Sequence, residues 1–240
     1  MAQIRFYDLE INQPGLIWSP NTCKTRFALN IKNIPYETKW VNFGNLHTII
    51  PSITKSGKRA TVPIIEDLYH NNKTVQDSWD IAIYLEEAYP NTPSLFHGNI
   101  GLHKFFYDYV NSNILPFLFK LVVTRIADNC GPPKVAKWFR ANREKHFGQT
   151  LESFSGQVND NIDYLKKALA PVRKVLKQYT FITGDKVGFA DVTLVSYFTM
   201  VHAIDPERFE LVLNIFNDDI FRNWWNRMEQ YRTGNNSARL

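Results

Sequence analysis

Up to residue 92, short apolar runs with strand-like character alternate with stretches whose apolar positions recur at helical spacing. "IRFY" (Ile4 to Tyr7) reads as a strand, "PNTCKTRFALNIKN" (Pro20 to Asn33) as a helix and "YETKWV" (Tyr36 to Val41) as a second strand. After a variable segment, "TVPIIE" (Thr61 to Glu66) and "KTVQ" (Lys73 to Gln76) read as two more strands, and "DSWDIAIYLEEAY" (Asp77 to Tyr89) as a helix. The order β-α-β then β-β-α implies a small sheet with helices packed on it.

The pattern changes at "YPNTPSLF" (Tyr89 to Phe96), whose two prolines and asparagine end the helix and mark a linker. Beyond it strand signals stop. "NIGLHKFFYDYVNSNILPFLFKLVVTRIA" is long and helical with a kink expected at Pro116; "CGPP" interrupts, and one or two helices are expected before residue 180. "ADVTLVSYFTMVHAI", "PERFELVLNIF" and "IFRNWWNRMEQYR" complete a helical group. The expected organisation is an α/β domain over residues 1–92 followed by an all-α domain over residues 97–240.

Composition narrows the class. With 44% apolar and 14% aromatic residues the chain can bury a sizeable core. No run of eighteen apolar residues occurs, and the N-terminal stretch lacks the features of a signal peptide, so a cytoplasmic protein is expected. Cys23 and Cys130 lie too far apart in sequence for a paired motif, so reduced thiols and no metal are expected. The net charge is +5. Residues 1–92 carry nine basic and nine acidic side chains, leaving nineteen and fourteen for the rest, so the excess lies in the second half. Its densest part, "KVAKWFRANREK" (Lys134 to Lys145), spreads its cations around a helix and reads as solvated surface, with no nucleic-acid or membrane partner expected.

Three places carry candidate chemistry. In "WSPNTCKTR" (Trp18 to Arg26) Ser19 stands at a helix start, followed by Pro20 at the first helical position. Its oxygen is expected to accept a backbone N–H from Asn21 or Thr22, leaving its own proton to donate. Pro63 is either an edge-strand proline or one half of a cis Val62–Pro63 bond that exposes the backbone of Val62 to an extended peptide. Asp77 and Ser78 stand at a strand-to-helix junction, as a plain helix cap or as a receptor for the two charges of an α-amino acid.

Taken together, "SPNTCKTRFAL", "TVPIIED", "DSWDIAIYLEE" and "GDKVGFADVTL" resemble the cytosolic glutathione transferase superfamily. The stretch Pro14 to Val41 is most similar to its fungal etherase-related class (GSTFuA), of serine type. The resemblance implies a thioredoxin-like N-terminal domain that binds glutathione as co-substrate, an all-α C-terminal domain that shapes the second pocket, and a homodimer. It makes Ser19 the catalytic residue. Val62 and Pro63 would pair with the cysteinyl backbone of glutathione, and Asp77 and Ser78 would hold its γ-glutamyl end. Phe105, Phe106 and Tyr109 are expected to line the hydrophobic-substrate pocket.

Two positions depart from the family pattern: Cys23 where the class shows tryptophan, and Gly188 where a serine or threonine usually opens the last domain's capping box. A thiol-transferase reading is disfavoured, because a redox pair would need cysteines at Ser19 and Thr22; Cys23 reads as a buried small hydrophobe. The implied activity is conjugation of the glutathione thiolate to small hydrophobic or aromatic electrophiles, in a detoxifying role, extending to aryl ether cleavage. The alternatives are a ligandin that holds aromatic compounds beside glutathione, and a regulatory or assembly module that has kept only the fold.

Overall fold

The computed structural model describes residues 2–54, 57 and 59–234. Its first half contains β1 (Ile4–Leu9), α1 (Pro20–Ile31), β2 (Tyr36–Val41), α2 (Leu46–Thr54), β3 (Ile64–Asp67), β4 (Lys73–Gln76) and α3 (Ser78–Ala88). The strands form one sheet in the order β2-β1-β3-β4, with β1 parallel to β2 and antiparallel to β3. This is the thioredoxin-like α/β domain expected from the sequence.

The period-two alternation of β1 sorts its side chains between two cores. Phe6 and its partner Ile65 join the main core, whereas Tyr7 and Ile64 join Val41, Leu46 and Ile50 in a smaller core beneath α2. The chain between α2 and β3 ends in a cis Val62–Pro63 bond, which settles the choice left open at Pro63.

The second half is helical: α4 (Ile100–Asn113), α5 (Leu115–Asn129), α6 (Pro133–Phe147), α7 (Leu151–Ser155), α8 (Val158–Leu176), α9 (Phe189–Ile204), α10 (Pro206–Leu213), α11 (Ile220–Arg227) and α12 (Glu229–Thr233). The long segment expected to kink at Pro116 is broken at Ile114, and α4 and α5 meet at 51°. Pro116 lies in the first turn of α5, where its missing N–H leaves no helical bond unmade. Between "CGPP" and residue 180 there are three helices, where one or two were expected. Gly148, left-handed at φ 69°, ends α6; Thr150 caps α7 through a bond from Ser153 N; and Gly156 at φ 63° ends α7.

Helix α9 opens at Gly188. A Cβ there would come within 2.9 Å of both His103 Cε1 and Thr183 Cγ2, so this packing has no room for the usual serine. The other half of the capping box remains, since Asp191 accepts the Gly188 N–H and is further held by Ile182 N, Thr183 Oγ1 and Trp224 Nε1. Among the described residues no single helix is long and apolar enough to cross a membrane.

Helix α1 is the hinge of the architecture. It packs against the sheet, α3, α9 and α12, so its residues from Thr22 to Ile31 are all buried, polar ones included. Arg26 forms a buried ion pair with Asp8 at 2.7 Å, and Asn30 Nδ2 donates to the carbonyl of Tyr231.

Candidate glutathione site

Where the sheet domain faces the helical one lies a cavity of about 590 Å³. Trp18, Ser19, Asn21 and Val62 line it from the first domain; Phe119, Phe139 and Met200 are among those lining it from the second. Ser19 is the N-cap residue of α1, with the extended backbone (φ −68°, ψ 118°) typical of a cap. Its side chain makes no capping bond, contrary to the expectation that its oxygen accepts from Asn21 or Thr22. The start of the helix is held by the Ser19 carbonyl, which accepts from Cys23 N at 2.8 Å and Thr22 Oγ1 at 3.1 Å. Ser19 lines the cavity, and among the described residues its hydroxyl makes no hydrogen bond, so its proton and lone pairs are open to a ligand.

Val62 lines the same cavity. It precedes β3, and neither its N–H nor its C=O makes a hydrogen bond among the described residues. An extended peptide laid against it would find one donor and one acceptor ready, in the manner of an added strand. The next carbonyl, that of Pro63, accepts from Asp77 N at 3.3 Å, which brings the start of α3 beside the cis bond.

At that start Asp77 has φ 88°, unusual for a residue other than glycine, and its Oδ1 accepts from Trp79 N at 2.9 Å. Its second oxygen makes no hydrogen bond among the described residues. Ser78 is buried beside the Tyr107 hydroxyl of α4. Asp77 thus caps α3 through one oxygen and leaves the other open as an acceptor among the described residues.

Lys24, on α1, went unnoticed in the sequence, where it reads as one polar residue on an ordinary helix. It is fully buried; its Nζ donates to Asn21 Oδ1 at 2.9 Å and to the Tyr197 hydroxyl at 3.0 Å, and lies 5.1 Å from the centre of the Tyr107 ring. Burial pushes its pKa down to about 7, against the opposing pull of Asp77. Because Asn21 spends its oxygen on Lys24, its amide N–H₂ is the part left to donate into the cavity.

Cys23 is fully buried in the main core, and burial pushes its thiol well above its ordinary range. It is the small hydrophobe expected. Phe105, Phe106 and Tyr109 are not near Ser19. They line a second cavity of about 600 Å³ between α4 and α8, facing Pro171, Val172 and Val175. The expectation that they shape the pocket beside Ser19 is corrected: α4 points Lys104 and Tyr107 toward Trp79 and Lys24, which leaves these three on another face of the helix, and α5 and α6 supply the aromatic wall. Phe43 and Phe139 meet across the domains at 5.1 Å, and Phe147 stacks on Phe154 at 3.8 Å. Among the described residues no cluster of side chains suits a metal ion.

Residues 18–88 match the glutathione S-transferase N-terminal domain, and residues 101–231 the C-terminal domain. Glutathione transferase GSTFuA3 from Phanerochaete chrysosporium is 30% identical, with a TM-score of 0.85 over 96% of this chain and 98% of that one. The glutathione S-transferase CsGST63524 of Ceriporiopsis subvermispora, solved in complex with glutathione, is 29% identical, with a TM-score of 0.84 over 95% and 97%. Among curated proteins, the glutathione S-transferase-like protein ustS of Aspergillus flavus is 23% identical over 97% of this chain and 92% of its own length. The chain belongs to the glutathione S-transferase family, with the fungal GSTFuA enzymes among its structural neighbours.

Proposed function

We propose that this glutathione transferase activates the glutathione thiol through Ser19 and transfers it to small aromatic electrophiles. The observation that carries the reading is the pairing of an uncommitted Ser19 hydroxyl with the unbonded backbone of Val62 on one cavity wall. Glutathione would lie extended along Val62 and Pro63. Its γ-glutamyl ammonium would meet the free oxygen of Asp77, and its carboxylate the N–H groups at the start of α3 beside Ser78.

A thiol attacks as its anion, and a cysteine thiol of pKa ~8.5 is mostly protonated at pH 7. Ser19 supplies one hydrogen bond to the sulfur. The start of α1 adds unpaired N–H groups and a positive dipole end, and Asn21, its amide turned by Lys24, adds a further donor. The thiol proton leaves to solvent and the thiolate attacks an electrophilic carbon. A C–S bond forms as the leaving group departs with its electron pair, a phenolate in the case of a benzylic aryl ether. Serine forms no covalent bond in this scheme.

The same reading takes residues 1–92 as the glutathione-binding domain and 97–240 as the helical domain, in a cytoplasmic homodimer. The exposed Leu102 and Phe105 on α4 offer apolar surface for the second copy, so Phe105→Glu is expected to yield monomer in light scattering.

The direct test passes wild type and Ser19→Ala over immobilised glutathione, then measures conjugation of a panel of aromatic electrophiles. Retention with turnover that falls in the variant is expected. Retention without turnover would make the protein a ligandin, and turnover untouched by the substitution would remove Ser19 from the mechanism.

A further inference from the structure

The basic stretch on α6, read from sequence as solvated surface, divides into unlike parts. Lys134, Lys137 and Lys145 are exposed. Arg140 turns toward carboxylates, with Glu152 at 2.7 Å, Asp128 at 3.4 Å and Glu144 at 3.5 Å. Arg143, three residues on, has no carboxylate among the described residues. It is half-buried in the wall of the Ser19 cavity, its guanidinium 5.1 Å from the centre of the Phe139 ring.

Arg59 puts a second positive charge on that wall. Arg59, His47 and His146 line the cavity, and no aspartate or glutamate does among the described residues. Burial pushes the Arg143 pKa down, and the like charge of Arg59 pushes it the same way. The surrounding surface is aromatic: Trp138 meets His47 edge-on at 5.9 Å, and Phe43 meets Phe139.

We propose that the second substrate of this cavity is an anionic aromatic compound, an aryl carboxylate, selected by Arg143. This rests on the reading of the cavity as the place where glutathione meets its acceptor. Ring faces from both domains take the aromatic body, and the guanidinium, held over the Phe139 ring, presents its N–H groups to the carboxylate. Glutathione carries a carboxylate of its own at the glycyl end. Arg59 is the nearer candidate for that group, since it lies three residues before Val62 on the segment that receives the tripeptide backbone. Arg143 reaches in from the opposite domain.

The experiment follows quenching of the intrinsic tryptophan fluorescence by 3-nitrobenzoate and by the neutral, near-isosteric 3-nitrobenzamide, with and without S-methylglutathione. Wild type is expected to bind the carboxylate about tenfold more tightly than the amide, the worth of one charge-assisted contact. Arg143→Gln should abolish that preference, leaving amide affinity within about twofold, and Arg143→Lys should restore part of it. Equal affinities in wild type, or a preference that survives in Arg143→Gln, would overturn the proposal. So would a variant that loses S-methylglutathione affinity alone, which would assign Arg143 to the glycyl carboxylate.

Should the glutamine variant not fold, raising ionic strength on wild type makes the same distinction: nitrobenzoate binding should weaken and nitrobenzamide binding should not. Selectivity indifferent to salt would contradict the proposal. Because carboxylate preference is read without glutathione, it stands or falls separately from the transferase reading, which fails if the protein neither binds nor conjugates glutathione.

Discussion

Two helices of the sheet domain begin near the Val62–Pro63 bond, α1 at Ser19 in the wall of the cavity that Val62 also lines and α3 at Asp77, whose N–H donates to the Pro63 carbonyl, and they begin differently. At the start of α3 the Asp77 side chain accepts from Trp79 N, an ordinary cap made in a strained left-handed backbone. At the start of α1 Ser19 has the backbone of a cap and the residue type of a cap, yet its hydroxyl bonds to nothing in the helix. The ends of these helices are held in different ways because different things are asked of their side chains. Asp77 has two oxygens; one makes the cap and the other makes no hydrogen bond among the described residues. Ser19 has one oxygen, and that oxygen takes no part in the cap.

The sharpest way to break that comparison is Ser19→Ala. Conjugation should fall by about tenfold to hundredfold in kcat/KM, as for a lost hydrogen bond to a charged sulfur. Stability should change by less than about 0.5 kcal/mol in denaturant unfolding, because no cap bond is removed. A drop near the ~1 kcal/mol usual for a lost cap would show that the hydroxyl does hold α1.

Asp77 should behave the other way, and two variants separate its duties. Asp77→Asn keeps a capping oxygen and a residue that tolerates positive φ, so stability should hold while glutathione binding, measured by calorimetry, weakens about tenfold. Asp77→Ala should lose the affinity and about 1 kcal/mol of stability besides. Equal binding by the wild type and asparagine variants would remove the charge from the account.

Lys24 connects the two starts, bonded to Asn21 and influenced by Asp77. Its folded pKa of about 7 lies below the ~10.4 of an unfolded chain, so between those values the unfolded state holds more protons and stability should rise with pH. The slope is at most about 1.4 kcal/mol per pH unit and is cleanest from about pH 7 to 8.5. Above that range the buried Cys23 pulls the other way, because it keeps a proton that the unfolded chain releases. Lys24→Met should flatten the rise in urea melts taken across that window; an unchanged slope would mean the ammonium is not the group responsible. The smallest effect is expected at the thiols. Both are buried and pushed upward, Cys130 to about 11, so neither should react with iodoacetamide while the protein is folded.

Much of the sheet domain was legible because its signals are local. The alternation in β1, the run "YETKWV" and the short "KTVQ" became β1, β2 and β4 with little change of limits. What escaped was created by the second domain. Lys24 reads as a solvent-facing lysine until α9 covers α1 and brings Tyr197 to its ammonium. Phe105, Phe106 and Tyr109 have the right residue types for a pocket wall, but the face of α4 that carries Lys104 and Tyr107 is the one that meets Trp79 and Lys24, and residue types do not encode that choice of face. Arg143 could not be told from Arg140 for the same reason, since the carboxylates that distinguish them come from α5 and α7 as well as from α6. The missing Ser19 cap bond was also invisible, because residue type marks a helix start and not the direction of a hydroxyl.

The central claim is that Ser19, freed from capping, lowers the pKa of bound glutathione. The measurement that meets it directly is a pH titration of the thiolate absorbance of glutathione bound to wild type and to Ser19→Ala, both shown to be folded. The account predicts a pKa below the ~8.5 of a free cysteine thiol in wild type, and a value at least about one unit higher in the variant. The same pKa in both proteins would contradict it.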